Sequence, residues 1–246
     1  MSSLILAHTR YQAIEQIRVP IGLLAGGLFP AIAMLAFAAP FVGDDPVAST
    51  RSLGSMMMIG AMSSALIALA INVAQDREQP WNPYLRTLPA GPLPHFAGRL
   101  LSSMALMVIS TIPVTVVAGL FTEADLSPGR LAVMVAAVLV GSLPFMLMGL
   151  FVGLVMPSKG AIAVSQVLFF PFAIVGGLML PPQAMPDFLN VISPYMPSRG
   201  GGELVWWAAD GSAPSTLALV ALAGWTVAAG VAAAWAYRRD EGRRFA

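Results

Sequence analysis

The chain alternates long apolar runs with short polar breaks, and six of the runs are long enough to cross a bilayer. A hydrocarbon core about 30 Å thick needs roughly 20 residues of helix rising about 1.5 Å each. The qualifying stretches run from Pro20 to Val42, Leu53 to Ala74, Phe96 to Phe121, Leu131 to Met156, Ala161 to Leu180 and Pro214 to Tyr237. Between Leu180 and Pro214 the charges Asp187, Arg199, Glu203 and Asp210 leave apolar runs too short for a seventh span. The pattern predicts an all-α integral membrane protein: one six-helix transmembrane domain over residues 1–246.

Ahead of the first span, Leu4, Ala7, Tyr11 and Ile14 recur at helical spacing, with Arg10, Gln12, Glu15 and Gln16 elsewhere around the barrel. Over 1–19 this predicts an amphipathic helix lying in the interface, with a solvated tail as the alternative. The same stretch has no basic region ahead of a short apolar core and no small-residue cleavage site after one, so no cleaved signal peptide is expected.

Six spans put both termini on one side, and basic residues choose the side. Arg10, Arg18, Arg77, Arg86, Arg99, Lys159, Arg238, Arg239, Arg243 and Arg244 fall on the side of the termini, against Arg51, Arg130 and Arg199 on the other. Both termini are therefore expected in the cytoplasm.

Composition agrees: 57% of residues are hydrophobic and 10% charged, at a mean hydropathy of +0.78. There is no cysteine, hence no disulfide, thiolate metal site or cysteine nucleophile. A net charge of +1 carries no nucleic-acid footprint. Apart from Arg99, in the first turn of the third span on the cytoplasmic side, no Asp, Glu, Lys or Arg falls within the six spans, and His8 and His95 lie in cytoplasmic segments. Buried carboxylates for proton coupling, an intramembrane protease pair and a zinc H-E-x-x-H site are all missing, while sodium coupling through carbonyls and hydroxyls stays open. There is also no G-x-x-x-x-G-K-[ST] phosphate loop. Uphill transport by this chain needs energy from another polypeptide.

The long polar interruption "QDREQPWNPYLRTLPAGPLPHFAGR", residues 75–99, is where that energy would enter. Asp76, Arg77 and Glu78 can continue the second helix below the membrane. Pro80 and Pro83 then limit it, and Trp81, Tyr84 and Leu85 offer apolar surface beside the charges. Trp, Tyr and Arg together suit a protein contact. Taken alone, an interfacial connector accounts for the loop equally well; its place in a chain lacking an energy source favours docking.

This segment resembles the coupling segment of type-2 ABC permeases, the membrane subunits of bacterial ATP-binding-cassette exporters. That family places an acidic–basic run, commonly E-R-E-x-G-T-x-x-x-L, after its second span, followed by a proline turn into the third. Asp76, Arg77 and Glu78 match the charged run, Leu85 the hydrophobic position and "LPAGPLPHFAGR" the re-entry, whereas Pro80 and Trp81 replace the usual Gly and Thr. A second likeness is "GGLMLPPQAMPDFLNVISPYMPSRGGGELVWWAADG", where Pro182, Met185, Pro186, Phe188 and Leu189 fit the P-x-x-x-M-P-x-x-L pattern after the fifth span. There the prolines break any continuous helix, and Phe188, Leu189, Ile192, Trp206 and Trp207 are expected to hold residues 181–213 at the outer interface as short re-entrant helices.

The resemblance implies that 75–95 docks into a cleft on a cytoplasmic ABC ATPase. It implies two such ATPase subunits, a second permease copy or paralogue, and ATP with Mg bound by the partner, so that this chain binds no cofactor or metal and is not itself an enzyme. It also implies that spans two and five line the path, which makes Met58, Met62, Phe169 and Phe172 candidates for its wall. The cargo expected of a mostly apolar cavity is a hydrophobic or amphipathic solute, drug-like, antibiotic or lipidic. The competing reading is a facilitator, channel or assembly scaffold working without ATP.

Weaker signals have bland alternatives. The 15 methionines suit lipid contact or helix packing as well as a varied ligand site. Gly22–Gly26 and Gly149–Gly153 fit G-x-x-x-G spacing, which 23 glycines also produce by chance. Pro113, Pro144 and Pro171 are expected to kink or loosen their helices. Asn72 and Gln166 are expected to hydrogen-bond between helices, with solute contact as the alternative.

Overall fold

The computed structural model describes residues 20–79 and 93–242, with side chains over 27–79 and 100–240. The expected interfacial helix over 1–19 lies outside them. Among the described residues every regular element is helical.

Helix α1 (Pro20–Ala33) passes through a π-helical segment, Met34–Ala38, into the short α2 (Ala39–Val42). The Asp45 carboxylate then accepts the N–H groups of Val47 (2.8 Å) and Ala48 (3.1 Å), and Pro46 fills the first helical position, where no N–H is needed. From this start α3 (Pro46–Ser63), a second π-helical segment (Ser64–Ala68) and α4 (Leu69–Glu78) form one 33-residue rod. Its length of about 50 Å exceeds the hydrocarbon core. The expected span Leu53 to Ala74 is only its middle: apolar counting stops short of Arg51, whereas the Asp45–Pro46 start signal sets the real beginning.

Helix α5 (Leu93–Phe121) precedes a bent pair, α6 (Pro128–Gly141) and α7 (Leu143–Val155), which divides the expected fourth span with a 40° bend. Pro144, lacking an N–H and crowding the preceding turn, accounts for this break. Pro113 lies inside the continuous α5, and Pro171 inside α8 (Ser158–Val175). The fifth span, expected to reach Leu180, stops at Val175. Gly176 caps it and Gly177 takes φ +85°, a left-handed conformation open to glycine at little cost.

Short 3-10 turns at Pro182–Ala184 and Ser193–Tyr195 flank α9 (Asp187–Ile192), and α10 (Pro197–Asp210) follows before α11 (Thr216–Gly242). Among the described residues four helices are long and apolar enough to cross a membrane, and the bent α6–α7 pair, taken as one span, makes a fifth. The apolar helix Gly27–Val42 is shorter.

The helices run to and fro between two ends. At one end the Glu123 N–H donates to the Gly43 carbonyl (2.8 Å) and the Asp125 N–H to the Thr50 hydroxyl (2.8 Å). At the other, Arg77 meets Asp240 and the turn after α7. The Pro46–Glu78 rod is the core: 67% of its most apolar stretch is buried, against 28% for α5 and α8 and 22% for α11. Met57, Met58 and Met62 pack there with Met34, Met107 and Met134, so much of the methionine excess fills the interior. Phe37, Phe41, Leu120, Val167 and Val227 point outward, an apolar exterior suited to lipid.

Candidate functional site

The charged run that ends the rod folds back onto its own chain. The Arg77 guanidinium donates to the Gly153 carbonyl (3.1 Å) and the Met156 carbonyl (3.4 Å), at the C-terminus of α7. It also pairs with the Asp240 carboxylate on α11 at 3.2 Å. Next to it, the Glu78 carboxylate accepts the backbone N–H of Ser158 (2.8 Å) and the Ser158 hydroxyl (2.6 Å), at the first turn of α8.

Helix termini explain this placement. The end of α7 leaves carbonyls without partners and carries partial negative charge, which suits a guanidinium. The start of α8 leaves N–H groups and partial positive charge, which suits a carboxylate. Pro157, the residue at the α8 cap position, has no side-chain cap bond, so Glu78 supplies the acceptor from another helix. Two consecutive residues of one rod thus cap both sides of a single tight turn. Through Asp240 they hold α11 as well, so the end of the rod is fastened to α7, α8 and α11.

Of the expected coupling residues, Arg77 and Glu78 are brought together in this clamp, and Asp76 lies one residue back, its carbonyl accepting the Gln79 N–H (3.4 Å). Trp81, Tyr84 and Leu85 lie outside the described residues. The structure adds Ser158 and Asp240, which the sequence pattern does not single out, and the carbonyl of Gly153, a residue noted there only for its G-x-x-x-G spacing. A serine directly after Pro157 and before an apolar run is a helix-start signal that could have pointed to Ser158.

The four candidate path residues are all interior to the single chain: Met58 and Met62 are 0% exposed, Phe169 4% and Phe172 9%. Phe172 stacks edge-on with Phe145 and Trp225 at ring distances of 5.6 and 6.0 Å. Packed this way they serve as core. Trp206, expected at the interface, is also buried at 4%, whereas its neighbour Trp207 is 46% exposed. The half-buried Asn72 and the exposed Gln166 complete the polar groups singled out in the spans.

The G-x-x-x-G pair of α7 is a true helix contact. A β-carbon on Gly153 would lie 2.6 Å from Val73 Cβ and 2.7 Å from the Ala70 carbonyl. On Gly149 it would collide with the Ala65 carbonyl of the π-helical segment and sit 3.0 Å from that of Leu66. Both glycines let the backbone of α7 rest directly on the rod.

Comparison with known proteins agrees with this architecture. The family model described as "ABC-2 type transporter" matches residues 3–206. The chain is also 26% identical over 174 residues, 71% of each sequence, to "Putative transport permease YvfS" of Bacillus subtilis (strain 168). The matched region takes in the rod, the clamp turn and most of α10, and the helices are those of a multi-pass membrane protein. The chain belongs to the ABC-2 type transporter family, as a membrane transport permease.

Proposed function

We propose that this chain is the permease subunit of an ATP-driven exporter, crossing the bacterial plasma membrane six times with both termini in the cytoplasm. Two cytoplasmic ABC ATPase subunits bind and hydrolyse ATP with Mg, and a second permease, a copy or a paralogue, completes the path. Residues 75–95 form the docking segment, and hydrophobic or amphipathic solutes are the cargo. The clamp carries this reading. A push on the docking segment reaches Arg77 and Glu78 at once, and from them the turn between α7 and α8 and the end of α11. Rigid-body displacement of packed helices is an established way to convert a local event into a change of access. Opening between spans two and five would then expose Met58, Met62, Phe169 and Phe172.

Gln166 supports the pairing. It lies mid-way along α8 on an exposed face with Ile162, Val167 and Phe170. A carboxamide facing hydrocarbon is costly, and a second permease on this face would offer it a partner. Because the chain has no cysteine, Gln166→Cys is expected to give a disulfide-linked dimer on mild oxidation in membranes. Monomer alone on a non-reducing gel would argue against pairing through α8.

The test of the whole reading is purification of tagged protein in mild detergent with its ATPase, followed by reconstitution. Nucleotide-dependent solute movement that vanishes when the ATPase is omitted is the expected result. Accumulation of a solute by the permease alone would favour an ATP-independent carrier.

A further inference from the structure

We propose that the groove between the start of α6 and the end of α10 holds one zwitterionic phospholipid with a primary amine in its head, of the phosphatidylethanolamine class. Binding there needs neither nucleotide nor ATPase, so it stands apart from the exporter reading.

Two helix ends meet at this groove. α6 begins at Pro128 and α10 ends at Asp210. The cavity between them has a volume of about 490 Å³ and is lined by Gly129, Arg130 and Val133 on one side and Trp207 and Asp210 on the other. That size falls within the range of small-ligand sites, about 300–1,000 Å³. A β-carbon on Gly129 would meet nothing within 4 Å, so the space beside the first turn of α6 is open. Pro128 is also where the bent α6–α7 span begins, which puts the groove at headgroup level. The exposed Trp207 ring belongs to a residue type concentrated at that level.

The two walls carry opposite charge. On the α6 side the Arg130 guanidinium pairs with Asp125 at 2.6 Å, both partly exposed. A guanidinium has five N–H donors in a planar fork, so donors remain for a phosphate. Across the groove the Asp210 carboxylate pairs with Arg51 at 3.2 Å and accepts the Ser212 N–H (2.8 Å), and its lone pairs can take a further donor. The C-terminal end of α10 adds partial negative charge beside it. Counted with their ion-pair partners, two arginines and two aspartates stand here, so no net charge draws a purely anionic head. A head carrying both signs matches both walls, its phosphate toward Arg130 and its ammonium toward Asp210. A primary ammonium donates three hydrogen bonds, whereas the methylated nitrogen of a choline head donates none.

Next to the charged mouth the surface turns apolar. Val133 lines the groove, and Ala136 and Val140 follow at i+3 and i+7 on the same exposed face of α6. Small side chains leave room for an acyl chain along this stripe. A phospholipid covers both the charged walls and the stripe, while a soluble zwitterion leaves the apolar part bare.

The test uses purified, delipidated protein in mild detergent without nucleotide. It is titrated with dioleoyl phosphatidylethanolamine, the matching phosphatidylcholine or phosphatidylglycerol, dioleoylglycerol, or O-phosphoethanolamine, and bound molecules are counted by native mass spectrometry. One phosphatidylethanolamine per chain is expected to bind about tenfold more tightly than any of the others. Arg130→Gln should weaken that binding about tenfold, the effect of losing one hydrogen bond to a charged group. Gly129→Leu puts a side chain into the open space and should remove the preference without lowering the melting temperature of the lipid-free protein, which separates loss of the site from loss of the fold. Equal binding by the parent and both variants would mean an annular shell of lipid only and would overturn the proposal. Phosphatidylglycerol or O-phosphoethanolamine binding as tightly as phosphatidylethanolamine would overturn it too. If Gly129→Leu instead splits a dimer on size exclusion, the groove belongs to a second copy of the chain and the lipid site falls.

Discussion

Gly149→Ala is expected to leave little folded protein, and Gly153→Ala to behave nearly as badly. Two effects compete when glycine in a helix becomes alanine. Helix propensity favours alanine by about 1 kcal/mol. Against this, the new β-carbon at Gly149 meets the backbone carbonyls of Ala65 and Leu66, and at Gly153 the Val73 side chain and the Ala70 carbonyl. Backbone cannot swing aside as a side-chain tip can, and overpacking of this kind costs about 3 kcal/mol or more. The penalty wins. Gly224→Ala is the control: it lies inside α11 with nothing within 4 Å of the added carbon, so only the propensity term remains. Thermal melting in detergent, followed by the monodisperse fraction on size exclusion, should show a large fall for the two α7 variants and no fall for Gly224→Ala. A Gly149→Ala protein as stable as the parent would show that α7 does not rest on the rod.

Arg77→Ala is expected to separate ATP hydrolysis from transport. The substitution removes three contacts together, those to the Asp240 carboxylate and to the carbonyls of Gly153 and Met156. Glu78→Gln is subtler: it keeps the shape of the side chain but replaces one acceptor oxygen with a donor NH₂ facing Ser158. Both variants keep the apolar spans, so membrane insertion should be normal. If the clamp passes movement from the docking segment to spans four, five and six, each should lower transport about tenfold or more, the range of a coupling energy. ATPase bound in the purified complex should be unchanged. Loss of ATPase binding would instead assign these side chains to the docking surface, and normal transport by both would remove them from the pathway.

The contrast between these two sites shows what is readable in one sequence. Runs of apolar residues locate the membrane helices, because the demand of hydrocarbon is local and roughly 20 residues long. Helix limits follow from local chemistry too, and where apolar counting misplaces them the true signals are present: Asp45–Pro46 at the start of the rod and Gly176–Gly177 at the end of α8. Partnerships across the fold are another matter. The charged run Asp76–Arg77–Glu78 announces itself, yet whether it faces a second protein or its own chain depends on Ser158, 80 positions away from Glu78. The Gly149–Gly153 spacing is visible but indistinguishable from coincidence among 23 glycines. Trp206 and Trp207 are adjacent and alike in composition, but only their phase on α10 sends one inward to Ser55 and leaves the other outside.

The second span has a further consequence. A rod of 33 residues, fixed at its two tips by Arg51 to Asp210 and by Arg77 to Asp240, has a set reach. Bilayers of different acyl length will therefore meet it as a ruler of constant size, so that hydrophobic mismatch falls on the surrounding lipid or tilts the whole bundle together. Membrane thickness then becomes a physical variable of the molecule, acting on how far the charged tip at Arg77 and Glu78 stands proud of the headgroups.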